Sequence, residues 1–312
     1  MTRYFQILVS ENIPSNLPAN TLIINEFSKI QNLLGQEFET ILFDARKGIH
    51  LEALAIAAGT LKMNGALIVL LSNWEKLHSQ IDEDSLRWSG SLEAIVTPRF
   101  MTYFKHCIHK YGFPVLYHQN DLKFGRTFQQ LFVNHNATLD QQKIIEQILK
   151  KESELYFLTA KRGRGKSALA GLLANQLDTK IYLTAPNKSA VKILAEFSQK
   201  EIIFIAPDEL FLALQNDPSF SENAWLFIDE AAMLPIAQLT AFSHYFKHIL
   251  FTTTIHSYEG TGRGFELKFK QKINRTFSDF ELIEPLRWSK DDALEAFIDE
   301  LLLLNVEDEF KQ

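Results

Sequence analysis

The sequence contains very little cysteine. Cys107 is the single cysteine among 312 residues, so no disulfide can form within the chain. Small proteins of oxidising compartments commonly depend on such cross-links. The nine histidines are scattered and lack the paired Cys and His spacings of a zinc site. We therefore expect neither a disulfide scaffold nor a structural zinc, and we expect a cytoplasmic protein.

Long hydrophobic runs and an excess of positive charge are also missing. The longest apolar segments, near Ala66–Leu71 and Leu301–Leu304, are far shorter than the ~20 residues of a membrane span. The apolar run at the N-terminus is too short for a secretory signal. A net charge of −6 excludes a strongly basic nucleic-acid coat, so RNA contact would have to come from local basic sites. We expect no membrane association.

The first part of the chain alternates short apolar runs with helical patterns. The runs are nearly continuous and rich in β-branched residues, which is typical of parallel strands covered on both faces. Polar residues follow the third run, where Asp44, Arg46 and Lys47 form either a ligand-binding strand end or an ordinary capped loop. The predicted strands are Tyr4–Val9, Thr21–Ile24, Thr40–Phe43, Ala66–Leu71 and Pro114–Tyr117, and the predicted helices are Leu51–Leu61 and Met101–Tyr111.

The segment from Leu155 to Ala170 is the most informative part of the sequence. It reads as a buried strand, a short loop of glycine and basic residues, and the start of a helix. A phosphate-binding P-loop has this arrangement, because glycines turn backbone N–H groups toward an anion and the helix N-terminus adds its dipole. Lys166 would reach the β- and γ-phosphates and Ser167 would hold Mg²⁺. Ala160 stands where the pattern G-x-x-x-x-G-K-[ST] has glycine.

A second motif follows about 60 residues later, at the distance expected after a P-loop. The apolar run that begins at Ala224 ends in Asp229 and Glu230. In P-loop ATPases the first acid coordinates Mg²⁺ through water, and the second polarises the attacking water as a general base. The two motifs together predict that the chain binds ATP, or another nucleoside triphosphate, with Mg²⁺.

Three further features leave alternatives open. Gln141 or Gln142, on a helix that precedes the P-loop strand, would either read the adenine edge or lie on a solvated surface. The run Thr252–Thr254 would either adjoin the γ-phosphate or simply favour a strand. The segment Ser257–Gly264, with its tyrosine and arginine, has a composition that suits single-stranded RNA.

These features predict an α/β protein with two domains. Residues 1–130 would form an N-terminal doubly wound Rossmann-like domain. Residues 131–312 would form a RecA-like P-loop NTPase domain with a parallel sheet.

Longer segments of the sequence resemble one family. TAKRGRGKSALAG, LFIDEAAMLP, TTTIHSYEGTGRGFELKF and EPLRW occur in this order, and ILFDARKGIHLEALAIAAGTLKMNGALIVLL and DEDSLRWSG precede them. The set resembles the bacterial tRNA(Met) cytidine acetyltransferases over essentially the whole chain. YEGTGRGF is the most specific part, because generic ATPases lack it. That family also has alanine at the position of Ala160.

The resemblance implies an N-terminal α/β domain and a RecD-like helicase-type ATPase module. In the full enzyme, a GNAT acetyltransferase domain and a tRNA-binding tail follow, and N4-acetylcytidine forms at the wobble position of elongator tRNA(Met) from acetyl-CoA with ATP hydrolysis. Arg287 would be the arginine that faces the phosphates, where it would stabilise charge on the transferring group. By resemblance, the nucleotide would be held by Gln141, Lys161, Arg162, Gly163, Arg164, Gly165, Lys166, Ser167, Ala168, Leu169, Ala170 and Arg287.

One domain of the family's enzymes has no counterpart in this sequence. The sequence ends about where the acetyltransferase domain would begin, and no acetyl-CoA loop follows Arg287. We therefore expect a truncated or split gene product, or an expressed fragment, that does not acetylate by itself. It could also work with a separately encoded GNAT acetyltransferase chain. Three hypotheses follow: an ATPase with Lys166, Glu230 and Arg287 as catalytic residues, a module that binds tRNA or nucleotide without hydrolysis, and a processive helicase. The helicase is disfavoured because translocating motors generally use two RecA-like domains.

Overall fold

A computed structural model describes residues 3–28, 30–33, 36–125, 137–161, 163–186, 188–254, 268–286, 288–289 and 291–304. The chain divides into two compact units. The first consists of Met1–Leu131 with Arg287–Gln312, and the second of Phe132–Leu286. This division differs from the predicted domains in its assignment of the last 26 residues, 287–312, and the domain boundary at 130 and 131 stays a prediction.

The first unit is built on a five-stranded sheet whose neighbouring strands are all parallel. The elements of this unit are β1 (Tyr4–Val9), β2 (Leu22–Ile24), β3 (Phe38–Asp44), α1 (Leu51–Thr60), β4 (Leu61–Leu71), β5 (Ile81–Asp82), β6 (Ile95–Val96), α2 (Pro98–Lys110) and β7 (Val115–Leu116). The strands of the sheet lie in the order β2-β3-β4-β1-β7, so β1 pairs with β4 rather than with β2. A short antiparallel pair, β5 and β6, was not predicted from the sequence.

A helix from far along the chain completes the core of this first unit. We call Ala293–Leu301 the closing helix. The ring of its Phe297 is fully buried, 5.0 Å from the ring centroid of Phe5 and 5.3 Å from that of Phe113. Because an aromatic cluster of this kind buries a large apolar area, the closing helix contributes directly to the stability of the first unit.

The second unit is a six-stranded parallel sheet with helices on both faces. The strands are β8 (Leu155–Ala160), β9 (Lys180–Thr184), β10 (Ile203–Phe204), β11 (Ala224–Ile228), β12 (His248–Thr254) and β13 (Phe277–Leu282), and the helices are α3 (Leu139–Leu149), α4 (Lys166–Ala174), α5 (Ser189–Phe197), α6 (Pro207–Asn216) and α7 (Ile236–Tyr245). The strands lie in the order β10-β9-β11-β12-β8-β13.

The residues of β8 explain why this sheet is covered on both sides. Tyr156 and Leu158 pack with α3, α4 and α5, whereas Leu155 and Phe157 pack with α6 and α7. All six residues of β8 are buried, as in a strand of a doubly wound sheet. The predicted α/β class, with a parallel sheet in each of the two parts, is confirmed. Within the described ranges, no helix is both long and apolar enough to cross a membrane.

Candidate nucleotide site

Three motifs of the second unit meet at one edge of its sheet. The strands are parallel, so the loops that follow them start at the same carboxyl edge, where ligands bind in open α/β sheets. Ala160, the last residue of β8, is in register with Thr254 of β12 and Leu282 of β13. Ile228 of β11 is in register with Thr184 of β9. The P-loop, the acidic pair and the threonine run therefore adjoin one another.

The loop between β8 and α4 spans residues 161–165, of which the structure describes residues 161 and 163–165. We call it the phosphate loop. Gly163 has φ 73° and Gly165 has φ 84°, a left-handed conformation that favours glycine. A Cβ on Gly165 would also lie 2.3 Å from Leu286 Cδ1. Ala160, by contrast, is a fully buried strand residue that needs no glycine.

The side chain of Lys166 lies within a polar network at the first turn of α4. It is only 9% exposed, and its Nζ donates to Thr254 Oγ1 at 2.9 Å. Thr254 Oγ1 in turn donates to Glu230 Oε1 at 2.6 Å, and the Thr254 backbone N–H donates to Glu230 Oε2 at 3.2 Å. Lys166 Nζ lies 3.8 Å from Glu230 Oε1. One threonine thus links the lysine predicted to bind phosphate with the predicted general base.

Asp229 is the more deeply buried of the two acids. Its Oδ1 accepts a hydrogen bond from Thr252 Oγ1, and its backbone N–H donates to Thr184 O at 3.0 Å. Burial raises the pKa of Asp229, and the neighbouring charge of Glu230 raises it further. Both effects disfavour the charged carboxylate, which a cation bound beside it would stabilise.

Glu230 has an unusual backbone conformation. Its φ of 48° and ψ of 49° place a non-glycine residue in the left-handed region, which costs of order 1 kcal/mol or more and is concentrated at functional sites. The turn Ala231–Met233 follows it immediately, and the Ala232 N–H donates to Thr253 Oγ1 at 3.2 Å. The conformation holds the Glu230 carboxylate beside Thr254 and leaves the side chain 38% exposed.

The donors at this edge fit Mg²⁺. Ser167, at the start of α4, and Asp229 offer oxygen ligands, and Mg²⁺ binds through a few protein oxygens while it keeps several waters. The Thr184 hydroxyl is also buried near Asp229 and has no hydrogen-bond partner among the described residues. In the ranges that the structure describes, no three His, Cys, Asp or Glu side chains group as a metal site.

The other residues predicted to bind nucleotide differ in whether the structure describes them and in whether their side chains are buried. Ala168, Leu169 and Ala170 are buried, and the last two pack into the core, so only their backbone groups are available to a ligand. Lys161 is partly buried at the start of the phosphate loop. Arg162, Arg287 and the predicted RNA-contacting segment Ser257–Gly264 lie outside the described residues.

Gln141 lies under the phosphate loop and is 2% exposed. Its Oε1 accepts from the Thr138 N–H at 3.0 Å, and Thr138 Oγ1 accepts from the Gln141 N–H at 3.2 Å. This reciprocal capping box begins α3. Gln141 Nε2 also donates to Gly165 O at 3.1 Å. The described contacts of this amide are therefore with the helix start and the loop, and adenine recognition by Gln141 stays a prediction.

Sequence reasoning missed how the phosphate loop is supported. Arg164 is 7% exposed and its Nε donates to Ile283 O at 2.9 Å, just beyond β13. The Leu286 N–H donates to Gly163 O at 3.0 Å. No pattern in the sequence signals these contacts, because they join segments more than 110 residues apart, as with the separation of 119 residues between Arg164 and Ile283.

Comparison with known proteins identifies both parts of the chain. Residues 6–119 match the family model described as tRNA(Met) cytidine acetyltransferase TmcA, N-terminal. Residues 157–305 match the one described as RNA cytidine acetyltransferase NAT10/TcmA, helicase domain. The chain belongs to the tRNA(Met) cytidine acetyltransferase family. The resemblance noted from the sequence motifs is thereby confirmed.

Two curated members of the family cover nearly the whole chain. The tRNA(Met) cytidine acetyltransferase TmcA of Haemophilus influenzae is 60% identical over 99% of this chain and 48% of its own length. The protein of the same name from Haemophilus ducreyi is 40% identical over 97% of this chain and 51% of its own length. The chain therefore spans about half the length of the curated relatives that it matches.

Among solved structures, the Pif1 helicase from Candida albicans overlaps 53% of this chain with a TM-score of 0.35 and 17% identity. That overlap is too loose to bear on function. The match to the helicase domain, together with the cradle at the sheet edge, implies nucleotide binding in the second unit. The roles of individual residues stay predictions.

Proposed function

We propose that the second unit binds ATP with Mg²⁺ and hydrolyses it in support of tRNA cytidine acetylation. The observation that carries the proposal is the network from Lys166 through Thr254 to Glu230 beside the left-handed glycines of the phosphate loop. P-loop hydrolases need these elements together: an anion cradle, a lysine for the phosphates, and a carboxylate that orients water.

Each group of the site would have its own role, which depends on its charge. The phosphate loop would hold the β-phosphate through backbone N–H groups, and Lys166 would leave Glu230 and turn to the γ-phosphate. Glu230 would then accept a proton from the attacking water. Ser167 and Asp229 would hold the Mg²⁺, which when bound neutralises charge on the phosphate oxygens. Arg287 is proposed to face the phosphates, as the family resemblance implies.

Measurement of phosphate release tests the proposal. Wild-type protein with Mg²⁺ and ATP should turn over, and Lys166→Ala should lower turnover by about 100-fold or more because it removes a charge that stabilises the transition state. Glu230→Gln should still bind ATP but hydrolyse it at a similarly reduced rate. Glu222→Gln, the same change at an exposed position of the same unit, serves as the control.

Two results would contradict the ATPase assignment. Equal turnover in wild type and Lys166→Ala would remove the predicted catalytic role. ATP binding without any release of phosphate, with or without tRNA, would favour the alternative of a nucleotide-binding module that does not hydrolyse.

The tRNA part of the proposal comes from the relatives, whose names specify tRNA(Met) cytidine acetylation. Elongator tRNA(Met) and a separate GNAT acetyltransferase chain are the proposed partners, and the cytoplasm, where tRNA is used, is the proposed compartment. Added tRNA should stimulate ATP turnover, and the effect should fall steeply as salt rises because binding through phosphates releases counterions. Stimulation that does not change with salt would contradict phosphate-based contact.

A further inference from the structure

Three hydrogen bonds hold the phosphate loop from outside. Each joins one residue of the loop to a partner on another segment of the second unit: Leu286 N–H to Gly163 O at 3.0 Å, Arg164 Nε to Ile283 O at 2.9 Å, and Gln141 Nε2 to Gly165 O at 3.1 Å.

Two of the three partners belong to one short segment. We call Ile283–Leu286 the strap. It follows β13, which pairs along its whole length with β8, the strand that leads into the phosphate loop. The strap therefore begins at a fixed place, one residue after the register pair of Leu282 with Ala160. The side chain of Leu286 also occupies the space that a Cβ on Gly165 would need.

The hydrogen bonds fix the direction of the peptide groups in the loop. In a trans peptide the C=O of one residue and the N–H of the next point in opposite directions. When Leu286 holds the Gly163 carbonyl, the Arg164 N–H must point away from the strap. When Gln141 holds the Gly165 carbonyl, the Lys166 N–H must point away from α3. These N–H groups are among those that a P-loop presents to a phosphate.

Arg164 contributes through its side chain rather than through its backbone alone. The residue is 7% exposed, and its Nε–H is directed at the Ile283 carbonyl. We propose that Arg164 is a positioning residue that locks the phosphate loop to the strap, so that the loop is shaped for a nucleoside diphosphate before the ligand arrives. The inference rests on the proposed function and gives Arg164 a different role from the direct nucleotide contact that the family resemblance implies.

Substitution of Arg164 can separate a positioning role, which needs the Nε–H donor, from direct contact with the phosphates, which needs the positive charge. Gln places its amide nitrogen the same number of bonds from Cα as Arg Nε, so Arg164→Gln keeps the donor and removes the charge. Arg164→Lys keeps the charge and puts a methylene at that position. We expect Arg164→Gln to bind the fluorescent nucleotide mant-ADP within about threefold of wild type, and Arg164→Lys to bind it about tenfold more weakly, the size of one lost hydrogen bond with a charged donor.

Arg275 offers a matched control in the same unit. Its guanidinium also donates to backbone carbonyls, those of Ser243, Phe246 and Lys247, but it precedes β13 and makes none of the described contacts with the phosphate loop. Arg275→Lys should lower the thermal unfolding midpoint without changing mant-ADP affinity. All variants are measured well below their unfolding midpoints, so that a loss of affinity reports on the loop and not on global unfolding.

The outcomes distinguish this inference from the function on which it rests. Absence of mant-ADP binding by the wild-type protein would overturn both. Binding by wild type, with Arg164→Lys retained and Arg164→Gln weakened, would identify a phosphate ligand and overturn only the positioning role. Equal weakening in Arg275→Lys would also overturn it, because the loss would then follow from general destabilisation.

Discussion

Each of the two parallel sheets presents an aspartate just where a strand ends, but the two aspartates have opposite surroundings. Asp44 ends β3, and Arg46 binds it through two hydrogen bonds, Nε to Oδ1 at 2.9 Å and Nη2 to Oδ2 at 2.6 Å. That contact lowers the pKa of Asp44. Asp229 follows β11 beside a second acid, and burial raises its pKa. The fold supplies the position, and the neighbouring residues decide whether it carries chemistry.

Buried charge differs between the units in the same way. In the first unit, Arg3 and Asp292 form a two-point ion pair, with both side chains at most 2% exposed, and the Arg3 guanidinium stacks 3.8 Å from the ring of Trp288. In the second unit, Lys166 is the single buried lysine among the residues that the structure describes, and it adjoins two acids. The buried pair leaves neither charge without a partner, whereas the excess of acid beside Lys166 would be offset by a bound cation.

The largest effect is expected on stability, when the buried ion pair of Arg3 and Asp292 in the first unit is broken. Arg3→Met should lower the free energy of unfolding by about 3–5 kcal/mol, because Asp292 would remain buried without its partner. Lys110→Met is the control, since Lys110 pairs with Glu300 of the same closing helix but is 52% exposed, and such pairs contribute about 1 kcal/mol or less. Urea unfolding measures both. Equal losses would remove the distinction between buried and exposed pairs.

The next largest effect is expected on ATP turnover, when the two strand-end aspartates, Asp229 and Asp44, are each replaced by asparagine. Asp229→Asn should lower ATP turnover by about 100-fold to 1,000-fold, in line with the loss of a group that stabilises charge in the transition state. Asp44→Asn should leave turnover unchanged, since Arg46 already neutralises that carboxylate. Phosphate release at saturating Mg²⁺ and ATP measures both variants. Comparable activity in Asp229→Asn and wild type would show that the two sheet edges do not differ in function.

A smaller effect is expected at the threonine that joins the charged groups of the second site. Thr254→Val keeps the shape of the side chain but removes the hydroxyl between Lys166 and Glu230. We expect kcat to fall about tenfold, the size of a lost hydrogen bond to a charged group, with little change in nucleotide affinity. Thr254→Ser should restore the rate. Thr240→Val, which removes a hydroxyl that bonds within α7, should have no effect on kcat.

The smallest expected effect is the pH dependence that Asp44 gives to stability. Its folded pKa lies below the unfolded value, so the Arg46 contact stabilises the protein above about pH 4, the unfolded pKa. That stabilisation, about 1 kcal/mol or less, is lost as pH falls through the folded pKa. Thermal unfolding of wild type and Asp44→Asn should therefore differ at pH 6, and the difference should shrink as pH falls below about 4. A difference that does not shrink below that pH would exclude this cause.

The sequence was sufficient for features that depend on local pattern. The strand, glycine loop and helix around Lys166 could be predicted, because apolar periodicity and left-handed glycines act over a few residues. The edge strand β13 was missed, since its residues alternate between exposed and partly buried positions and no continuous apolar run marks it. The direction of the Arg164 side chain was also beyond prediction, because a partner at Ile283 becomes visible only after the sheet has brought β8 and β13 together.

The positive φ of Glu230 and the membership of the closing helix are harder still to predict. A glutamate has no intrinsic preference for the left-handed region, and only the surrounding hydrogen bonds hold it there. The closing helix has an ordinary amphipathic pattern that does not reveal which of two cores it joins. Both features are products of tertiary structure and leave no local trace in the sequence.

The closing helix has a consequence for the order in which the protein folds. Phe5 lies near the start of the chain, yet its ring partner Phe297 is separated from it by the whole second unit. During synthesis, every residue of the second unit leaves the ribosome before Phe297 does. The unit that is encoded second can therefore complete its core first, and the unit that is encoded first must wait with part of its aromatic surface uncovered, the kind of exposure that invites chaperones.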